Sequence, residues 1–256
     1  MPKSNRGGKG GSVTAPRPIP APTPTPAPTP APPIRVTGGG GGGGFAPLTQ
    51  KQVVQVQQAQ QEYLDAQDVR VRYAVKQYIR ADTQANGKSR SQNMNNKLET
   101  DGQLDPTERM MVKNLDKAMS PIGKNTMLVR ADHAITGTGS GLMEKLNLTN
   151  YQSLSPSQLN AALVGKTWTE KKYLSTSYNV KNNPFINGAQ SGGRAVIMNI
   201  KAPANTKMVV GDRSQAEYIL ARGGNYKITG ARFTGKTANP AAGGSYRQIE
   251  IDVEII

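Results

Sequence analysis

Apolar residues recur along the first half of the chain at three- and four-residue intervals, the spacing that lays them on one face of a helix. Val56, Ala59, Tyr63, Ala66, Val69 and Tyr73 keep this interval and predict an amphipathic helix over about residues 48–80, with a glutamine-rich outer face. Asn86-Gly87 ends it, and a short helix is expected over about residues 92–98. Asp105-Pro106-Thr107-Glu108 is a helix start, with a capping carboxylate, a proline in the first turn and a glutamate reaching back to the cap. Val112, Leu115 and Met119 mark its buried stripe, and Pro121 stops it. Ser155-Pro156-Ser157-Gln158 opens another helix, with Leu159, Ala162 and Leu163 inward and Gly165 at its end. Trp168, just beyond, reads as a core or rim aromatic.

Past Lys172 the period falls from 3.6 to 2. Strands are expected over about residues 173–177, 195–200, 206–210, 218–220, 226–231 and 249–255, with an earlier one over about 127–130. In the last, Ile249, Ile251, Val253 and Ile255 alternate with Glu250, Asp252 and Glu254, so one face is buried and the other wet. Helices first and strands later predict an α+β fold.

The N-terminal residues break both periods. Proline stands at nearly every second place over residues 15–33, which forbids helix and sheet and favours a polyproline II spacer of about 3.1 Å per residue. Seven glycines, Gly38 to Gly44, follow as a hinge. Residues 1–45 are therefore expected to be a disordered, basic tail and linker, fit to tether the rest to a larger particle or partner. Residues 46–256 form the domain, with a helical part over 46–125 and sheets over 126–256. With 36% apolar residues in a chain of 256, one core is expected there.

Composition narrows the chemistry. There is no cysteine and one histidine, His133, which reads as a solvated ring, so thiol nucleophiles, zinc fingers and histidine triads are excluded. The start of the chain leads into no apolar stretch of a Sec signal, and nowhere do about 18 apolar residues run together, so no membrane span is expected. The net charge is +15; Lys3, Arg6, Lys9, Arg17 and Arg35 supply five charges from the tail, and the remaining ten belong to the domain. Such a surface favours acidic neighbours, nucleic acid among them.

The stretch Met208-Val209-Val210-Gly211-Asp212-Arg213-Ser214-Gln215-Ala216-Glu217-Tyr218 reads as a strand, a tight polar loop, and a second strand that opens on Gln-x-Glu. Strand alternation predicts that Gln215 and Glu217 share a face. Arg130 closing Met127-Leu128-Val129-Arg130, then Tyr173-Leu174-Ser175-Thr176-Ser177, then Gln215-Ala216-Glu217 resemble, in this order, the catalytic signature of the mono-ADP-ribosyltransferase exoenzyme family. That family includes the clostridial Rho-modifying exoenzymes and the binary actin-modifying toxins. Ala189 to Ile197, around Arg194, resembles its phosphate-nicotinamide loop, and Glu217 to Ile228 its Glu-x-Leu-Leu-x-Arg-Gly segment. The resemblance spans about residues 69–256.

The resemblance implies two packed antiparallel sheets around an NAD cleft, flanked by N-terminal helices, and an enzyme that cleaves nicotinamide from NAD and transfers ADP-ribose, with hydrolysis of NAD as a side activity and no metal. No Rossmann Gly-x-Gly-x-x-Gly follows a strand, and the Gly38 to Gly44 run has no strand-helix frame, so NAD would be bound without that motif. Arg130, Ser175 and Glu217 are the implied catalytic residues, with Glu217 on the ribosyl cation, Arg130 and Arg194 on the pyrophosphate, and Ser175 orienting Glu217. Thr176 shapes the floor, and Phe185 is expected to stack on the substrate, because the family's loop aromatic is replaced by Ser191. The family's Arg-Gly is here Arg130-Ala131, and its Asn-x-x-Leu-Arg is here Asn95-Asn96-Lys97-Leu98-Glu99. Gln215 and Asp212 are assigned to acceptor recognition. A neutral amide suits an asparagine- or glutamine-like side chain better than a guanidinium, so the expected acceptor is a non-arginine residue of a protein. Two alternatives stand: a guanine acceptor, or a tethered phage structural protein with a decayed site. Action in a host or target cytoplasm, as a toxin, effector or virion-borne enzyme, completes the expectation.

Overall fold

The structure is a computed structural model. It describes residues 44–80, 84, 87–136, 139–179, 194–239 and 245–256, all within the compact unit Pro33–Ile256. Phe185, Ser191 and nearly all of the proposed tail lie outside the described residues. At the start of the domain, the Ala46 carbonyl accepts from the Met127 amide at 3.1 Å.

Four helices come first. They are α1 (Gln50–Asp65), α2 (Val69–Ile79), α3 (Arg90–Glu99) and α4 (Pro106–Ala118). The single helix expected over residues 48–80 is thus two helices. Asp68 caps α2 through the Arg70 amide at 2.7 Å, and the Arg72 guanidinium takes the Asp65 carbonyl at the end of α1 at 2.8 Å. The break also moves the buried stripe. Val69 and Tyr73 are exposed, and Val71, Ala74, Val75 and Tyr78 face inward instead. The capping box read at Asp105 and Glu108 is present in α4, as is the one at Ser155 and Gln158 in a later helix, α6 (Pro156–Leu163). A one-turn helix, α5 (Leu142–Lys145), lies between them.

The strands are β1 (Ser120–Pro121), β2 (Thr126–Asp132), β3 (Thr167–Glu170), β4 (Leu174–Ser177), β5 (Val196–Ala202), β6 (Lys207–Val210), β7 (Glu217–Leu220), β8 (Gly224–Ala238) and β9 (Tyr246–Ile255). Their order is β1-β6-β7-β4-β2-β5-β9-β8-β3. The two expected sheets are the two halves of this curled array. β1-β6-β7-β4 meets β2-β5-β9-β8-β3 at one residue pair, Val129 with Ser177. All neighbours are antiparallel except β5 and β9, which run parallel from Val196 opposite Ile249 to Lys201 opposite Glu254. Strand β3 carries Trp168, which stacks on Tyr226 of β8 at 5.1 Å between centroids.

Burial explains the sequence patterns. In β6 and β7 the apolar runs Met208-Val209-Val210 and Tyr218-Ile219-Leu220 are continuous because both faces are covered. Met208, Val210, Tyr218 and Leu220 pack with Leu128, Val196 and Ile200 of the other half, while Val209 and Ile219 pack under α2, α3 and α4 with Tyr173. In β9 only one face is covered, so Ile249, Ile251 and Val253 are buried and the acids between them reach the surface. No described helix is long and apolar enough to cross a membrane.

One polar contact ties α1 to the sheet. Gln60 is 2% exposed; its Nε2 donates to the Ala118 carbonyl at 3.2 Å, and its Oε1 accepts from the Ser120 hydroxyl at 2.9 Å. Gln60→Leu leaves a buried hydroxyl and carbonyl without partners, and we expect the unfolding free energy to drop by about 1–3 kcal/mol in urea titrations. An unchanged value would mean that this contact does not anchor the helix.

Candidate active site

The curled array opens where β2 and β4 part. A cavity of about 410 Å3 lies there, and its wall includes Arg130, Ser175, Thr176, Arg194, Gln215 and Glu217. Of the residues picked from the sequence, these six come together. Asp212 lies in the adjoining loop, outside the cavity wall.

Arg130 is the fifth of the seven residues of β2, inside the strand rather than at its end, and its side chain crosses the gap to β4. Its Nη1 donates to the Ser175 carbonyl at 2.7 Å, and its Nε donates to Asp132 Oδ2 at 3.0 Å. Asp132 was not picked from the sequence, although Arg-x-Asp on a strand places both side chains on one face. Burial alone would raise the Asp132 carboxyl, but the charges of Arg130 and Lys172 outweigh it and hold the group at about 2. Burial likewise opposes the Arg130 charge, and Asp132 overrides it, raising that group. The guanidinium is therefore fixed at two edges, and neither contact uses the donors of Nη2.

Glu217 opens β7, opposite Ser177 of β4. Its carboxylate is half-buried and takes its hydrogen bond from the Asp212 amide, at 2.9 Å to Oε2, rather than from the Ser175 hydroxyl. Gly211 makes room for it. A Cβ there would overlap Glu217 Oε2 and stand 2.6 Å from its Cδ. The glycine is needed for space, with no unusual backbone angle required of it.

Gln215 does not share a strand face with Glu217, contrary to the alternation argument. It ends a single 3-10 turn, Arg213–Gln215, and Ala216 follows in the left-handed region at φ 53° and ψ 39°. This reversal, seldom adopted by a residue with a side chain, is what lets both residues reach one cavity, Gln215 exposed at its rim and Glu217 inside. The Asp212 carboxylate caps the turn, accepting from the Ser214 amide at 2.8 Å and hydroxyl at 2.7 Å, and these bonds lower its pKa. Its side chain is thus engaged within the loop. Thr176 is buried and donates to the Tyr218 carbonyl at 2.7 Å, fixing β4 to β7 beneath the site.

The remaining wall holds residues whose part was not legible in the chain order. Asn95 of α3 donates to the Tyr78 hydroxyl at 2.8 Å, and burial, chiefly, pushes that phenol up. Gln92, Asn96, Lys172 and His133 also line the cavity. Periodicity does not mark α3 as a wall, since its polar residues look like any solvated helix face; only the comparison of Asn95-Asn96-Lys97-Leu98-Glu99 with the family's Asn-x-x-Leu-Arg pointed to it. Among the described residues, no group of three or more His, Cys, Asp or Glu is placed to hold a metal ion.

The model of one protein family, described as ADP-ribosyltransferase exoenzyme, matches residues 57–253. The chain belongs to the ADP-ribosyltransferase exoenzyme family. It is accordingly an NAD-dependent ADP-ribosyltransferase, and NAD is its co-substrate. No curated protein sequence matches the chain. Solved structures do. Plx2a, an ADP-ribosyltransferase toxin from Paenibacillus larvae, is 14% identical with a TM-score of 0.58, over 80% of this chain and 96% of that one. The Clostridium limosum C3 exoenzyme is 19% identical with a TM-score of 0.56, over 84% and 98%. C3stau2 from S. aureus, solved with NAD, is 16% identical with a TM-score of 0.55, over 81% and 96%. At these identities the likeness is one of fold, and it covers nearly all of each exoenzyme.

The fit of Gly211 against Glu217 gives a direct test. Gly211→Ala forces the carboxylate out of its place while the buried strands on either side stay as they are, so nicotinamide release from NAD should fall at least about tenfold with the thermal midpoint little changed. Normal turnover in the alanine variant would show that the position of this carboxylate is immaterial.

Proposed function

We propose that the protein transfers ADP-ribose from NAD to a protein side chain other than arginine, with an asparagine- or glutamine-like amide as the acceptor. The observation that carries this reading is the neutral, exposed Gln215 at the rim of the cavity that holds the half-buried Glu217. An arginine acceptor needs a carboxylate to pair with its guanidinium, and the rim offers an amide, which both donates and accepts.

In this account Glu217 stabilises positive charge at the ribose as the bond between C1′ and the nicotinamide nitrogen breaks. The bonding pair leaves with nicotinamide, which departs neutral. The acceptor nitrogen supplies a new pair to C1′ and loses a proton to water. Arg130 and Arg194 hold the pyrophosphate, the first through the edge left open by Asp132 and the Ser175 carbonyl. Ser175 and Thr176 shape the floor, and Phe185 supplies stacking from the loop. Asp212 acts on the acceptor side by fixing the turn that presents Gln215. Residues 1–45 tether the enzyme, and it works in the cytoplasm of a target cell. A guanine acceptor is the second reading, favoured by the net charge of +15.

Two variants separate the roles. Glu217→Gln keeps the shape and removes the charge, so nicotinamide release should fall at least about 10²-fold in a folded protein. Gln215→Ala should leave release near normal and lose most transfer. Efficient modification of agmatine by the wild type, or equal loss of release and transfer in the alanine variant, would contradict the acceptor assignment.

A further inference from the structure

Lys172 stands at the bend just before Tyr173 and β4, and it lines the same cavity as Arg130 and Glu217. Its side chain is only 16% exposed. An ammonium has three donors and loses much of its hydration when it is buried this far, so each donor needs an acceptor. Its ion-pair partner is Glu99 Oε2, at 3.3 Å, a buried oxygen that takes no hydrogen bond among the described residues, and the carboxylates of Asp132 and Glu170 also feel its charge. Glu99 is already committed elsewhere, since its Oε1 takes Lys145 at 2.7 Å, and Lys145 in turn reaches Glu170 at 3.2 Å. Lys172 is thus a largely buried cation in the wall of a polar cavity, near carboxylates that already serve Lys145 and Arg130.

Arg130 presents the opposite case. Its charge is matched by its own carboxylate, Asp132, and two of its edges are occupied. A pyrophosphate brings two negative charges into the cavity, and of the two guanidiniums assigned to it, Arg130 is already paired. We infer that Lys172 is a substrate-binding residue, whose ammonium, standing beside Glu99, completes its hydrogen bonds on a phosphate oxygen of NAD. This rests on the reading of the cavity as the NAD site. It adds to that reading a cation from the approach to β4, close enough to Asp132 to act on the same carboxylate as Arg130.

The test is calorimetric binding of NAD, ADP-ribose and nicotinamide to the full chain, with steady-state nicotinamide release alongside. Lys172→Gln should weaken NAD and ADP-ribose by about tenfold and leave nicotinamide unaffected, raising KM with kcat nearly unchanged. Lys172→Arg should restore binding, because a guanidinium also serves a phosphate. Glu99→Gln separates a ligand contact from a structural ion pair: it should leave NAD binding intact, since it removes the competitor and keeps the lysine. Unchanged NAD affinity in folded Lys172→Gln, or an equal loss in Glu99→Gln, would overturn the assignment and leave the NAD site standing. Failure of the wild type to bind NAD would instead overturn the site.

Discussion

Between β2 and β4 the array is held by a single residue pair, and the Arg130 guanidinium supplies the rest of the junction by donating to the Ser175 carbonyl. This is the constraint on which the rest of the structure turns. On either side the strands are fully paired, β2 with β5 along seven residue pairs and β4 with β7 along four. Two halves that are each well ordered but barely joined must splay, and the splay is the cavity. Asp132 keeps Arg130 charged and aimed, so the residue that closes the junction is also the one that offers a cation to whatever enters it. Below both unfolded and folded pKa values of Asp132 that arrangement is lost. Its folded value of about 2 means that the pair persists through mild acid and fails only as the pH falls from about 4 towards 2.

The opposite wall depends on a different economy of space. Gly211 lacks the Cβ that would displace Glu217, the Asp212 amide holds the carboxylate, and the Asp212 side chain holds the turn. Three adjacent functions are thus carried by one short loop between two strands buried on both faces. The rigidity of β6 and β7, with cores above and below, is what makes a turn with a left-handed Ala216 sustainable.

Much of this was legible in the chain, and what was not has physical causes. Caps at Asp105 and Ser155 lie next to the stripes they start, so local chemistry and burial agree and both helices appear as read. The break between α1 and α2 was hidden because Tyr63, Ala66, Val69 and Tyr73 keep a helical interval straight across it. Only Asp68 and Arg72, which satisfy the two helix ends, mark the interruption. The ordered motifs brought Arg130, Ser175, Arg194, Gln215 and Glu217 to one cavity, since Arg130 and Ser175 lie on the two strands that part there and the other three sit at strand ends or adjoining turns of the same array. The shared face of Gln215 and Glu217 was misread because alternation holds only inside a strand, and β7 begins at Glu217. Glu99, Lys145, Glu170 and Lys172 come from four separate elements or bends. No spacing along the sequence could have joined them.

The central claim is that this cleft moves ADP-ribose from NAD onto protein. It is tested most directly by incubating the full chain with NAD tagged on its adenine, together with a target-cell extract split into protein and nucleic-acid fractions. The account predicts label in the protein fraction, mapped by mass spectrometry to an amide side chain and absent with Glu217→Gln. Label in the nucleic-acid fraction, or on arginine, would contradict it.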